Sequence, residues 1–158
     1  MVGAIVNGNR EHLLAYLSKT KGGSSIGSLT NRKIVQKKVY LLQKLGLDMK
    51  YDFGWYIYGP YSTELAYDLY QKEAMIGILK NDPSNLELSK YEDSVLQKLD
   101  DMLDRLGNDK PLDYWLELLA SLHMCGQIDY LKKLKPGKFE DRDIELCWRV
   151  LVDAGLLG

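Results

Sequence analysis

From Ser89 to Gly107 the chain admits one local structure. Ser89 and Glu92 stand three apart, the spacing at which a serine hydroxyl and a glutamate carboxylate cap each other's backbone N–H groups as a helix begins. Behind them Val95, Leu96, Leu99, Met102, Leu103 and Leu106 recur every three or four residues until Gly107. A helix apolar along one stripe and charged elsewhere gains its stability by having that stripe covered. The cover is at hand. Pro111 starts a further helix, since its missing N–H costs nothing in a first turn, and Trp115, Leu118, Leu119 and Leu122 supply its buried side. Gln127 to Leu134 reads as a short helix ended by Pro136-Gly137, and Asp141 to Ala154 as a last one with Ile144, Cys147, Trp148 and Leu151 inward.

The first half is less uniform. Asn9 to about Lys19 places Leu13, Leu14 and Leu17 on one helical face, with Asn7 or Asn9 as cap. Lys21–Ser28 combines three Gly with three Ser and is expected to be the most mobile internal segment. Thr30 or Asn31 then caps a helix over 31–45 that stops at Gly46. Between Tyr51 and Tyr58 the period changes to two, which predicts a strand with Tyr51, Phe53, Trp55 and Ile57 toward the core and Tyr56 and Tyr58 facing away. Gly59-Pro60 ends it and Ser62 caps a helix over 62–73. Met75–Leu79 and Leu86–Leu88, about the turn signal Lys80–Ser84, read as two short strands. This order gives a fold class that is mainly α, a winged-helix-like core with a small β element and a helical C-terminal half. Both parts, 1–88 and 89–158, are expected within a single domain, 1–158.

Composition sets the functional frame. The 158 residues are 46% hydrophobic and balance 21 basic against 22 acidic side chains, as globular domains do. No stretch approaches the roughly 20 apolar residues of a membrane span, and the first residues lack a basic head and a long apolar core, so a cytoplasmic protein without a membrane partner is expected. The balance hides an asymmetry: residues 1–50 hold nine basic side chains against two acidic, residues 51–158 twelve against twenty. An anionic partner should meet the first third. The helix over 62–73 opposes duplex DNA, because Glu64, Asp68 and Glu73 outweigh Lys72, and sequence-specific DNA recognition is not expected. No catalytic motif stands out and no cofactor or metal is expected. His123 and Cys125, two apart on a helix, point in opposite directions, and Cys125 and Cys147 lie amid apolar neighbours as reduced thiols.

The candidate contacts lie elsewhere. In the helix over 31–45, Ile34, Val35, Val39, Leu41, Leu42 and Leu45 form the buried arc, Lys33, Lys37 and Lys44 cluster along one edge, and Arg32, Gln36 and Gln43 lie beyond. The edge reads as a patch for phosphate or an acidic protein surface, or as a solvated face. Lys38 points into the apolar arc, which predicts either a stem covering apolar surface with its amine in water or a carboxylate partner. Eight of sixteen aromatic residues fall between Tyr51 and Tyr70, and Tyr56, Tyr58 and Tyr61 read as anchors of a contact surface or as packing.

These residues resemble known families. Gln36-Lys37, Tyr40 and Gln43, followed by Trp55-x-x-Tyr58-Gly59-Pro60 and a helix bearing Leu65, resemble the "KLQKLLYFAQ" and "W-x-Y-GP" segments of Panacea, or SocA-like, antitoxin domains. Lys38 departs from the apolar residue usual there. The run Phe53-x-Trp55-Tyr56-x-Tyr58-Gly59-Pro60-Tyr61-Ser62 and the segment Leu116 to His123 resemble more closely the YwgA-like proteins. The resemblance implies a small helical domain with a winged-helix-like core, no established enzyme activity and, in the antitoxin relatives, a protein-neutralising role. The function expected is a non-enzymatic protein-interaction module, antitoxin-like or regulatory. It would use Tyr56, Tyr58, Tyr61, Lys33, Lys37 and Lys44 against an unidentified protein, with the oligomeric state open and a homodimer included. The alternative is a nucleic-acid-associated regulator that binds phosphates through the basic helix 31–45.

Overall fold

A computed structural model describes residues 8–79 and 82–158. Asn9 opens the first element: its side chain accepts the Glu11 N–H at 2.8 Å, starting a single 3-10 turn, Arg10–His12, that runs into α1, Leu13–Ser18. Asn7 lies outside the described residues. Helix α2, Leu29–Leu45, begins earlier than its periodicity indicates, because Ser28 rather than Thr30 or Asn31 is the cap, its hydroxyl accepting the Asn31 N–H at 3.0 Å.

The middle of the chain departs most from expectation. The strand expected over 51–58 is only β1, Gly54–Tyr56, and it pairs antiparallel with β2, Gly59–Tyr61, the segment expected to end it. Trp55 stands opposite Pro60 across a two-residue turn, Ile57-Tyr58. Proline is tolerated there because alternate residues of an antiparallel pair direct their N–H and C=O away from the partner. Trp55 is not core: it is 38% exposed and Ile57 81%, since a two-stranded ribbon has a face with nothing to cover it. Ser62 caps the next helix as expected, accepting the Leu65 N–H at 3.1 Å, but α3 runs over Thr63–Leu79. Met75–Leu79 is therefore helical, and no strand forms at Leu86–Leu88, so the expected second strand pair is absent among the described residues. A five-residue apolar run fits either period, and extending a running helix by nearly two turns needs no new nucleus. Of the turn expected there, Lys80 and Asn81 lie outside the described residues, and Asp82 caps a 3-10 turn, Pro83–Asn85.

The C-terminal helices match their signals. Helix α4, Lys90–Leu106, has both halves of its capping box; α5 is Leu112–Cys125 after Pro111, α6 Ile128–Leu134 and α7 Asp141–Asp153. The molecule is mainly helical with a small two-stranded sheet. Helix α2 packs on α4 and α5, and α5 on α6 and α7, around one contiguous core that joins Leu13, Leu41, Leu99, Leu116 and Leu151. Cys147 is buried and Cys125 half-buried, both as free thiols. Among the described residues no helix is long and apolar enough to cross a membrane.

The Gly/Ser segment makes specific hydrogen bonds to its surroundings. Its Lys21 N–H donates to Asp100 at 3.0 Å, Ser25 Oγ accepts from Asn31, and Ile26 O accepts from Arg32. Lys38 holds its start and neither snorkels nor meets a carboxylate. Fully buried, its ammonium donates to the carbonyls of Leu17 at 2.8 Å, Thr20 at 3.3 Å and Gly23 at 2.9 Å. The first is a carbonyl of the last turn of α1 and the other two belong to the loop that follows, so one ammonium joins the helix end to the loop.

Candidate functional site

Helix α2 builds the site by gripping the aromatic segment's backbone. Gln36 and Gln43 stand seven apart, two turns, hence on one face. Gln36 donates to Ser62 O at 2.9 Å and accepts Ser62 N–H at 2.8 Å; Gln43 donates to Tyr51 O at 3.1 Å and accepts Tyr51 N–H at 2.9 Å. The two amides clamp residues 51 and 62, and the hairpin is strung between them. Neither is the exposed polar residue that the helical period indicates. Between the clamps, Lys37 donates to Pro60 O at 2.9 Å, the carbonyl that β2 turns away from β1. Gly59, at φ +93°, lies so close to α5 that a Cβ would run into Ser121 Oγ, which is buried without a hydrogen-bond partner among the described residues.

Five of the six candidate residues meet. Lys33, Lys37, Tyr56, Tyr58 and Tyr61, with Leu29, Arg32 and Ile57, line a hollow of about 270 Å³ between the hairpin and α2. Lys44 does not join them; its ammonium lies 5.3 Å from the Tyr40 ring centre. The expected lysine edge is also not a solvent-facing row. Lys37 is 2% exposed, and Lys33 is mostly covered, its ammonium 4.5 Å above the Tyr58 ring and 3.5 Å from Asp113. Tyr56 packs edge-on to Tyr61 at 5.2 Å while staying half exposed. On the hairpin's other flank a hollow of about 580 Å³ is lined by Trp55, Tyr56, Ile57, Leu134, Lys135, Pro136 and Lys138.

Periodicity misses the residues that connect these hollows. Glu117 lies inside the apolar run of α5, buried, 2.9 Å from Lys138, 3.2 Å from Lys135 and 3.9 Å from Lys33. The available signal was a lone acid on a buried face, which demands a base. Lys138 lies 5.4 Å from the Tyr58 ring and Lys135 5.3 Å from that of Trp55, so cations flank the hairpin's rings on both sides. Burial pulls the Lys37 ammonium down to about 8; Glu117 resists, and Lys135, Lys33 and Lys138 add to the depression.

A second polar cluster lies at α4. Glu92 accepts from Ser89 N–H and from the Tyr16 hydroxyl, and its Oε2 lies 2.6 Å from His12 Nδ1. Burial raises its pKa, but these bonds outweigh burial and hold it at about 2. Tyr40 Oη lies 2.7 Å from His123 Nδ1, and burial pushes both thiols up and the His123 imidazole down. Among the described residues no three His, Cys, Asp or Glu side chains are grouped to hold a metal. Compared with protein-family models, curated proteins and solved structures, the chain matches none.

Proposed function

We propose that the protein is a non-enzymatic interaction module that docks a protein partner on the hairpin Gly54–Tyr61, in an antitoxin-like or regulatory role. One observation carries this reading. Trp55, Tyr56 and Ile57 are 38, 50 and 81% exposed, and with Leu29 and Leu134 they form an apolar surface interrupted by two hollows. Rings held by cations and a clamped backbone are preorganised anchors, which lowers the ordering cost of binding. The resemblance to antitoxin domains supports the role, because Gln36, Lys37, Tyr40 and Gln43, which carry it, are residues around which the hairpin is assembled. In this proposal the hairpin with α2 and α3 takes the place of the winged-helix-like element.

The test is affinity capture from native extract with wild type, Tyr56→Ala and Ile57→Asp. Both variants should lose the captured partner while their melting temperatures stay within about 2 °C, since surface changes away from packing rarely exceed about 0.5 kcal/mol. Unaltered capture by both variants refutes the reading. Capture abolished by raising salt from 50 to 200 mM points instead to phosphate binding through the basic residues, because counterion release makes such binding steeply salt-dependent.

A further inference from the structure

We infer that the hollow between the hairpin and α2 receives an acidic peptide segment of the partner, one carboxylate entering beside Lys37 while an adjacent aromatic or aliphatic side chain rests on Tyr56 and Tyr58. The inference rests on the docking reading above and names the chemistry of what docks there.

The first ground is hydrogen-bond capacity. The Lys37 ammonium carries three N–H donors; among the described residues its acceptor is Pro60 O, and it lines the hollow while 2% exposed. A buried ammonium with donors to spare is costly unless an acceptor arrives. Charge is the second. Arg32, Lys33, Lys37, Lys135 and Lys138 converge on the hairpin, whereas the carboxylates beside them are Asp113 and Glu117, both already held by lysines. The region therefore keeps a positive excess that an incoming carboxylate neutralises.

Shape decides the class of anion. Leu29, Tyr56, Ile57 and Tyr58 make the hollow's walls largely apolar, so a bare inorganic anion leaves them wet, and an anion attached to an apolar group fills the space. A nucleic-acid strand fits less well. Strand binding takes a track of cations at phosphate spacing, whereas these converge on one hairpin, and the helix that follows carries Glu64 in its first turn and Asp68 a turn later.

The experiment titrates the ¹⁵N-labelled full chain at pH 7 with acetyl-Asp-Phe-Glu-Leu-Glu-amide and, separately, with its uncharged counterpart acetyl-Asn-Phe-Gln-Leu-Gln-amide. The acidic peptide should shift the backbone resonances of residues 29–37 and 56–61 and bind at least about tenfold more tightly than the uncharged one, the effect of one charge-assisted hydrogen bond. Lys37→Met should remove most of that preference; Arg32→Gln, which leaves the buried Lys37–Pro60 contact intact, should reduce it severalfold and provides the answer if the first variant does not fold. Equal binding of the two peptides overturns the inference and leaves the docking reading standing, which Tyr56→Ala tests separately by capture. Absence of shifts at these residues with either peptide overturns it, as does tighter binding of a ten-nucleotide oligothymidylate to the same face.

Discussion

Lys38 shows what one buried ammonium organises. It ties the last turn of α1 to the following loop through three carbonyls. Lys38→Met should cost about 1–3 kcal/mol in urea denaturation, because Gly23 O loses its donor while Leu17 O and Thr20 O keep only their local ones. Burial pulls this ammonium from the ordinary 10.5 down to about 7, against a weaker opposing pull from Asp100. Between those values the unfolded chain binds the proton that the folded chain has released, so stability should rise as pH goes from 7 to about 9.5. Lys37 acts in the same sense from about 8. Denaturation midpoints across this window check the sign, and Lys38→Met should flatten the rise to the share of Lys37. Glu92 works oppositely. Held at about 2 against an ordinary 4.5, it contributes stability above pH 4.5 that is lost as pH falls toward 2. Glu92→Gln should remove that acid-side slope and lower stability at pH 7 by about 1–3 kcal/mol, measured on the same denaturation curves.

Among the elements, α2 carries the most of the design. One side of it enters the core, and a second side, with Gln36, Lys37 and Gln43, binds backbone rather than side chains. One glycine of the loop before it is required because the helix lies close. Gly22 has φ +95°, and a Cβ there would come 2.8 Å from both Ile34 Cγ2 and Leu112 Cδ2. Gly22→Ala should therefore destabilise by about 1–3 kcal/mol through backbone strain and overlap together, and hydrogen exchange should quicken at Lys21 and Gly23. An unchanged exchange rate there would show that the segment is loose in the wild type, as its composition alone indicates. Helix α3 presents the contrary case. Leu65 and Leu69 are buried near its start, while Tyr67, Tyr70 and Met75 stay about half exposed or more, so these three side chains lean little on the core.

Across the whole molecule, the charge asymmetry is consumed internally in part. Arg10 pairs with Glu64, Lys21 with Asp104 and Lys33 with Asp113, so cations of the first third bind carboxylates of the remainder. What survives around the hairpin is an excess to which Arg32 and Lys37 of the first third contribute together with Lys135 and Lys138 from the far end of the chain. Two tryptophans separate core from surface. Trp115 is 2% exposed, and Trp115→Ala should cost about 3–5 kcal/mol. Trp55→Ala should cost less than about 1 kcal/mol, since its ring is partly in water. Equal losses in urea denaturation would place Trp55 in the core after all. Helices α4 to α7 were legible because capping boxes, proline starts and three-four spacing act within a few residues of one another. Tyr56, Tyr58, Tyr61, Lys33 and Lys37 were legible as unusual, and they do meet. The burial of Lys37, the exposure of Trp55, the helical state of Met75 and the backbone clamps of Gln36 and Gln43 were not, because periodicity tells which residues share a face, whereas burial depends on which other element comes to lie against it.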